Sequence, residues 1–272
     1  MFYRVFSKRN RVLLAELVRT DFKLRYQGSV LGYAWSLLRP LMLFGILYVV
    51  FAVVLKSGGN IPYFPAYLLL GIVIWNFFTE MTQQSLGSVV GRGDLIRKIK
   101  IPRWMVVFST SMSALINLGL NLVVVFIAMI LNHVQYLMTA PLLILILIEV
   151  YFFALGISLF LSAAFVKYRD ITYIWEVVLQ AGFYLTPILF SMSLPILVSH
   201  PFIQKLLMIN PMAQAIQDAR YVTISHSRLI VTAYNTFQGK WYVIIPFVLV
   251  SIIFISGVAY FRKHSKYFAE NI

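Results

Sequence analysis

The 272-residue chain is 61% hydrophobic and 12% charged, with a mean hydropathy of +0.84, whereas a soluble domain carries roughly 45–50% apolar and about 25% charged residues. That excess of apolar surface excludes an ordinary soluble globule, and the net charge of +14 must be read as either a nucleic-acid surface or a membrane topology. With no cysteine, disulfides and thiolate metal sites are excluded too.

The chain opens on a charged leader, residues 1–32. Its Leu13, Leu14, Leu17, Val18 and Leu24 fall on one side of a helix, and Glu16, Arg19, Thr20 and Lys23 on the other. This is an amphipathic stretch suited to a membrane surface or to docking a partner. Asp21 and Arg25 interrupt the apolar side at i to i+4, a spacing that lets them pair. The first apolar run begins only near Tyr33, behind the leader, so no cleavable signal is expected.

A helix needs about 20 mainly apolar residues to cross the roughly 30 Å hydrocarbon core. Six runs meet that length: Tyr33–Leu55, Tyr63–Val90, Met105–Leu131, Thr139–Phe165, Ile174–Met192 and Trp241–Phe261. The runs are continuous rather than alternating, so spanning helices are expected and a β-barrel is not. Eighteen of the 23 Lys and Arg residues fall before the first run, just inside it, after the second and fourth, or in the tail. Lys56, Lys205, Arg220, Arg228 and Lys240 fall on the other side. The positive-inside rule makes the richer side cytoplasmic, with both termini there. Basic residues that alternate with spans form no continuous face, so nucleic-acid binding is not expected.

Between the second and third runs lies Gly91-Arg92-Gly93-Asp94, then Leu95 to Ile101, then Pro102. Asp94 is placed to cap a short helix that Pro102 stops. Between the fifth and sixth runs, residues 193–240 are too apolar for a solvated loop. They are broken by Pro195, Pro201 and Pro211 into pieces too short to span, which reads as re-entrant or interfacial helices forming an outer rim or gate. The expected fold is all-α: one transmembrane domain over 1–272, divided into leader (1–32), spans one to five (33–192), external segment (193–240), and span six with the tail (241–272).

Chemistry of its own is not expected. The four histidines lie near span ends or in loops, and no nucleophile, cofactor or metal constellation emerges. The single Gly-Lys pair, Gly239-Lys240, is followed by Trp241, so no phosphate-cradling loop is present. Three carboxylates, Glu80, Glu149 and Glu176, sit in or near spans, where ionisable groups are functional candidates or helix-to-helix hydrogen bonds. The aromatic series Phe44, Tyr48 and Phe51, and Phe183 and Phe190, suits packing, interfacial belts or a lining on which sugar rings slide.

Three segments resemble the membrane subunits of bacterial ABC transporters that export polysaccharides such as O-antigen, capsule and teichoic acid. Asp21, Lys23, Arg25, Tyr26, Ser29, Leu31, Gly32, Trp35 and Pro40 match a D-x-K-x-R-Y-x-x-S-x-L-G-x-x-W-x-x-x-x-P signature. Gly93 to Arg103 is similar to that family's coupling region, with Asp94 where Asn is common, and Asn210-Pro211-Met212 to its N-P-M before the last outer helix.

The resemblance implies a homodimer enclosing a channel, two copies of a soluble ATPase that binds ATP and Mg, and a lipid-linked glycan as substrate. It implies ATPase coupling through Asp94, Leu95, Ile96, Arg97, Lys98, Ile99, Lys100, Pro102 and Arg103, and through the leader residues Asp21, Lys23, Arg25 and Tyr26. It implies a substrate path along Tyr33, Trp35, Arg39, Phe44, Tyr48, Phe51, Phe183, Tyr184 and Phe190. Pro195, Pro201, Asn210, Pro211 and Met212 would form the outer gate. The site of action is then the bacterial cytoplasmic membrane. A proton-coupled secondary transporter using Glu80 and Glu149, an ABC exporter of drugs or simple lipids, and a membrane enzyme acting on lipid-linked sugars stand as alternatives.

Overall fold

The computed structural model describes residues 8–26, 32–54, 61–93, 102–135 and 137–268. Those residues are mostly helical, with no strand among them. The leader forms α1, Lys8–Tyr26. Helix α2, Trp35–Tyr48, continues as the π-helical turns Val49–Val54. Then follow α3 (Phe64–Ser88), α4 (Trp104–Leu131), α5 (Leu143–Lys167) and α6 (Ile171–Leu185). Three short helices come next, α7 (Pro195–Ser199), α8 (Pro201–Ile209) and α9 (Pro211–Thr223), before α10 (Ala233–Thr236) and α11 (Ile245–His264).

Among the described residues, five helical stretches are long and apolar enough to cross a membrane: Trp35–Val54, Phe64–Ser88, Trp104–Leu131, Ala140–Lys167 and Trp241–His264. The fifth run expected from the sequence behaves differently. It yields α6, whose 15 residues give about 22 Å at 1.5 Å per residue, short of the hydrocarbon core. The cause is local. Thr186 precedes Pro187 and is driven to an extended conformation (ψ 138°), because the proline ring disfavours helix at the residue before it.

Helix directions follow from side-chain pairings. α4 runs antiparallel to α3, since Thr110 meets Ser85 and Asn117 meets Glu80. α5 runs parallel to α3, with Phe78 stacked on Phe153 at 5.4 Å and Ser158 donating to the Met81 carbonyl. α6 opposes α3, since Phe183 lies on Trp75 and the Trp175 indole donates to Thr82. α11 runs parallel to α5, through Phe152–Phe254 and Phe160–Tyr260 with ring centroids 5.1 and 4.7 Å apart.

Apolar side chains gain little by leaving lipid tails for one another, so helices in a membrane associate by close packing. The α5–α11 pairing shows why small residues matter. A side chain on Gly156 would run into the Phe254 backbone, and one on Gly257 into the Gly156 carbonyl. α3 is the central column: most of its length is buried, from Phe64 to Leu86. Two of its hydroxyls bond within their own helix, Thr82 to the Phe78 carbonyl and Ser85 to that of Met81, so these two bring no unsatisfied polar group to the core.

Candidate functional site

The leader end of the bundle holds a three-residue polar latch. Leu13, Leu14 and Leu17 of α1 pack on Trp104 and Met105 at the start of α4, as the amphipathic pattern leads one to expect, while Arg19 and Lys23 are exposed. Asp21, for which the i to i+4 spacing offered Arg25, pairs with Arg92 in the turn Val90–Arg92 after α3. The Arg92 Nη1 donates to Ser109 Oγ of α4 at 2.8 Å, and Ser109 Oγ lies 3.0 Å from Asp21 Oδ2. Both charged side chains are 18% exposed, and burial pushes the Arg92 guanidinium below its ordinary value. A polar cavity of about 400 Å³, lined by Asp21, Gln84, Ser88, Arg92, Thr110 and Ser113, lies against the latch.

The coupling residues Asp94, Leu95, Ile96, Arg97, Lys98, Ile99 and Lys100 lie outside the described residues, as do the side chains of Arg25, Tyr26 and Tyr33. Arg92 therefore stands two positions ahead of the expected coupling segment. Pro102 and Arg103 close it, their carbonyls accepting from Met105 and Val106 as α4 begins.

The opposite, distal end is organised by Arg220, which is 0% exposed. From α9 its Nε donates to the Tyr67 carbonyl at 3.0 Å, its Nη2 to Ile188 at 2.9 Å, and its Nη1 to Pro187 at 2.5 Å and to Gln217 Oε1 at 3.2 Å. The guanidinium carbon sits 3.4 Å from the Tyr67 ring centroid, a cation–π contact inside a dry site. The Tyr67 hydroxyl in turn reaches the Phe190 carbonyl. One fork of donors thus satisfies carbonyls left bare where α6 stops at Pro187, and ties α9 to α3. Counting Arg220 as an outward-facing charge missed this. A fully buried arginine is invisible to a loop count.

The distal prolines behave as the sequence suggests. Pro195, Pro201 and Pro211 each start a helix, where a missing N–H does no harm. Asn210 caps α9 by accepting from the Met212 N–H at 3.0 Å, and Met212 is buried. α9 runs against the first part of α5: Thr139, just before that helix, donates to the Val222 carbonyl, and Gln214 lines the same cavity as Glu149.

Of the aromatic series, Phe44, Tyr48, Phe51 and Phe183 are half-buried against the core, and Phe190 packs in a separate distal cluster. Trp35, Arg39 and Tyr184 are exposed. Glu80 accepts from Asn117 Nδ2 at 2.6 Å and Gln84 Nε2 at 3.0 Å, which makes it a link between α3 and α4. Glu176 is exposed on α6. Among the described residues no cluster of His, Asp or Glu suits a metal ion.

Residues 13–224 match the family model of ABC-2 type transporters. The chain belongs to that family. The match starts within α1 and stops just after α9, so it encloses both the latch and the Arg220 knot. Family membership makes the chain a membrane subunit of an ABC transporter and implies an ABC ATPase as partner. A similar protein is the O-antigen export system permease protein RfbA of Myxococcus xanthus, 29% identical over 186 residues, 67% of this chain and 70% of that one. Two Klebsiella pneumoniae proteins of the same description are 27% and 26% identical over 262 residues, 95% of this chain and 94% of each.

Proposed function

We propose that the chain is the channel-forming subunit of an ATP-driven exporter that carries lipid-linked O-antigen, or a related cell-surface glycan such as teichoic acid, outward across the bacterial cytoplasmic membrane. The observation that carries this reading is the likeness, along almost the whole chain, to O-antigen export permeases. ATP and Mg are bound by two copies of a soluble ATPase, and this chain works as a homodimer without catalysis of its own. The proton-coupled alternative is not favoured, because Glu80 is held by two amides.

Six crossings with both termini cytoplasmic fit the parallel course of α5 and α11: the chain has to return across the bilayer between Lys167 and Trp241, and α6 runs the right way to begin that return. α9 climbs beside α5, which supports a re-entrant gate. Only Leu179 of α6 is buried, and its exposed face, with Ile174, Val177, Tyr184 and Leu185, suits a second subunit across the channel.

Force from the ATPase enters at residues 94–101 and reaches Arg92, which holds the leader through Asp21 and α4 through Ser109. Reconstitution tests this reading. Membranes with this chain alone should hydrolyse no ATP, activity should appear with the ATPase partner, and Ile96→Asp or Ile99→Asp should lower it. Glycan transport driven by a pH gradient without the ATPase would overturn the reading.

A further inference from the structure

A cavity of about 590 Å³ opens at the distal end between α5, α9, α10 and the start of α11. Its walls are mostly apolar, from Leu145, Ile148 and Phe247; Tyr221, Thr232, Tyr234 and Asn235 add neutral polar groups, and the charged groups, Glu149 and Asp218, are both acidic, with Gln214 beside them. Gln214 is 0% exposed and spends its amide N–H on Asp218 Oδ2 at 2.6 Å. The Gln214 Oε1 and the Glu149 Oε1 are buried without a hydrogen-bond partner. Buried acceptors are nearly always satisfied, and no Lys or Arg lines this cavity. What these two acceptors lack is a donor, and the two carboxylates beside them favour one that carries positive charge.

Depth narrows the donor further. The helical stretch Ala140–Lys167 has 28 residues, about 42 Å, so it overshoots the roughly 30 Å hydrocarbon core. With that overshoot shared between the two ends, Glu149, nine residues in from Ala140, lies about 7 Å inside the distal edge of the core, within reach of a headgroup amine, and Leu145 and Ile148 beside it are exposed. An anionic diphosphate headgroup would be repelled by two carboxylates. A primary ammonium brings three donors and no acceptor, and a chain attached to it would lie along the apolar wall.

We propose that this pocket binds the primary-ammonium headgroup of a phospholipid in the distal leaflet, with Glu149, Gln214 and Asp218 on the ammonium and an acyl chain along Leu145, Ile148 and Phe247. Burial pushes Asp218 up to about 6, against the Gln214 and Ala233 N–H groups that hold it down. The binding does not depend on which glycan is exported.

Native mass spectrometry of the full chain, with phosphatidylethanolamine, phosphatidylglycerol or phosphatidylcholine added to delipidated protein, tests this. Phosphatidylethanolamine should be retained over both others. The double variant Glu149→Gln, Asp218→Asn should weaken its retention about tenfold or more, the scale of one charged hydrogen bond, and leave phosphatidylglycerol unchanged. Leu145→Trp, which fills the apolar wall and keeps both carboxylates, should weaken it as well and carries the test if the double variant does not fold. Free ethanolamine should raise the melting temperature by far less than the lipid. Equal retention of phosphatidylglycerol, wild-type retention by either variant, or an equal shift with ethanolamine overturns the proposal.

Discussion

The two ends of the bundle each bury an arginine, and they do so in opposite ways. Arg92 pairs with a carboxylate on a separate surface helix and keeps 18% of its side chain exposed; Arg220 is sealed and spends its donors on three backbone carbonyls and one amide. An ion pair that keeps part of each side chain exposed can take up water as it parts, whereas a fully buried fork of hydrogen bonds leaves every acceptor orphaned if it opens. The leader end is therefore built to let elements separate, and the distal end to hold them.

Breaking the distal knot should have the largest effect. Arg220→Met removes all four hydrogen bonds and should cost about 4 kcal/mol or more, read as loss of folded protein from the membrane or a collapse of the melting temperature. Arg220→Lys should rescue little, because an ammonium has no planar fork to span Tyr67, Pro187 and Ile188.

At the latch the effect should be smaller in stability and larger in function. Asp21→Asn should cost about 2 kcal/mol while lowering coupled ATPase activity, and the exchange Asp21→Arg with Arg92→Asp should recover part of both. Tyr67→Phe sharpens the comparison: it keeps the ring under Arg220 and loses one hydroxyl bond to Phe190, so a melting curve should report only about 1 kcal/mol. Glu80→Gln should be the mildest. An amide still accepts from Asn117, and glycan export should persist, whereas a proton-coupled carrier would lose transport.

Much of the frame was legible in the sequence, because hydropathy and proline act locally. Five spans follow apolar runs, and Pro195, Pro201 and Pro211 each mark a helix start, with Asn210 as cap. α6 came out shorter than its apolar run for an equally local reason, the Thr186-Pro187 step. The two polar sites were not legible. Ser109 meets Asp21 across 88 residues and Arg220 meets Tyr67 across 153, and no periodicity announces partners that far apart. Arg92 and Arg220 looked alike as basic residues in loops, and only the packing of α1 on α4, and of α9 on α3, separates their roles. Asp21, part of the leader signature, pairs with Arg92, while the side chain of Arg25 lies outside the described residues.

Because the chain has no cysteine, a pair introduced as Asp21→Cys and Arg92→Cys can be bridged selectively by a short cleavable bifunctional thiol reagent. ATP-driven glycan export by the exchanged protein with its ATPase is the decisive reading. Export should stop when the latch is bridged and resume when the bridge is cleaved. Undiminished export with the latch held shut would contradict the account of how motion enters this membrane subunit.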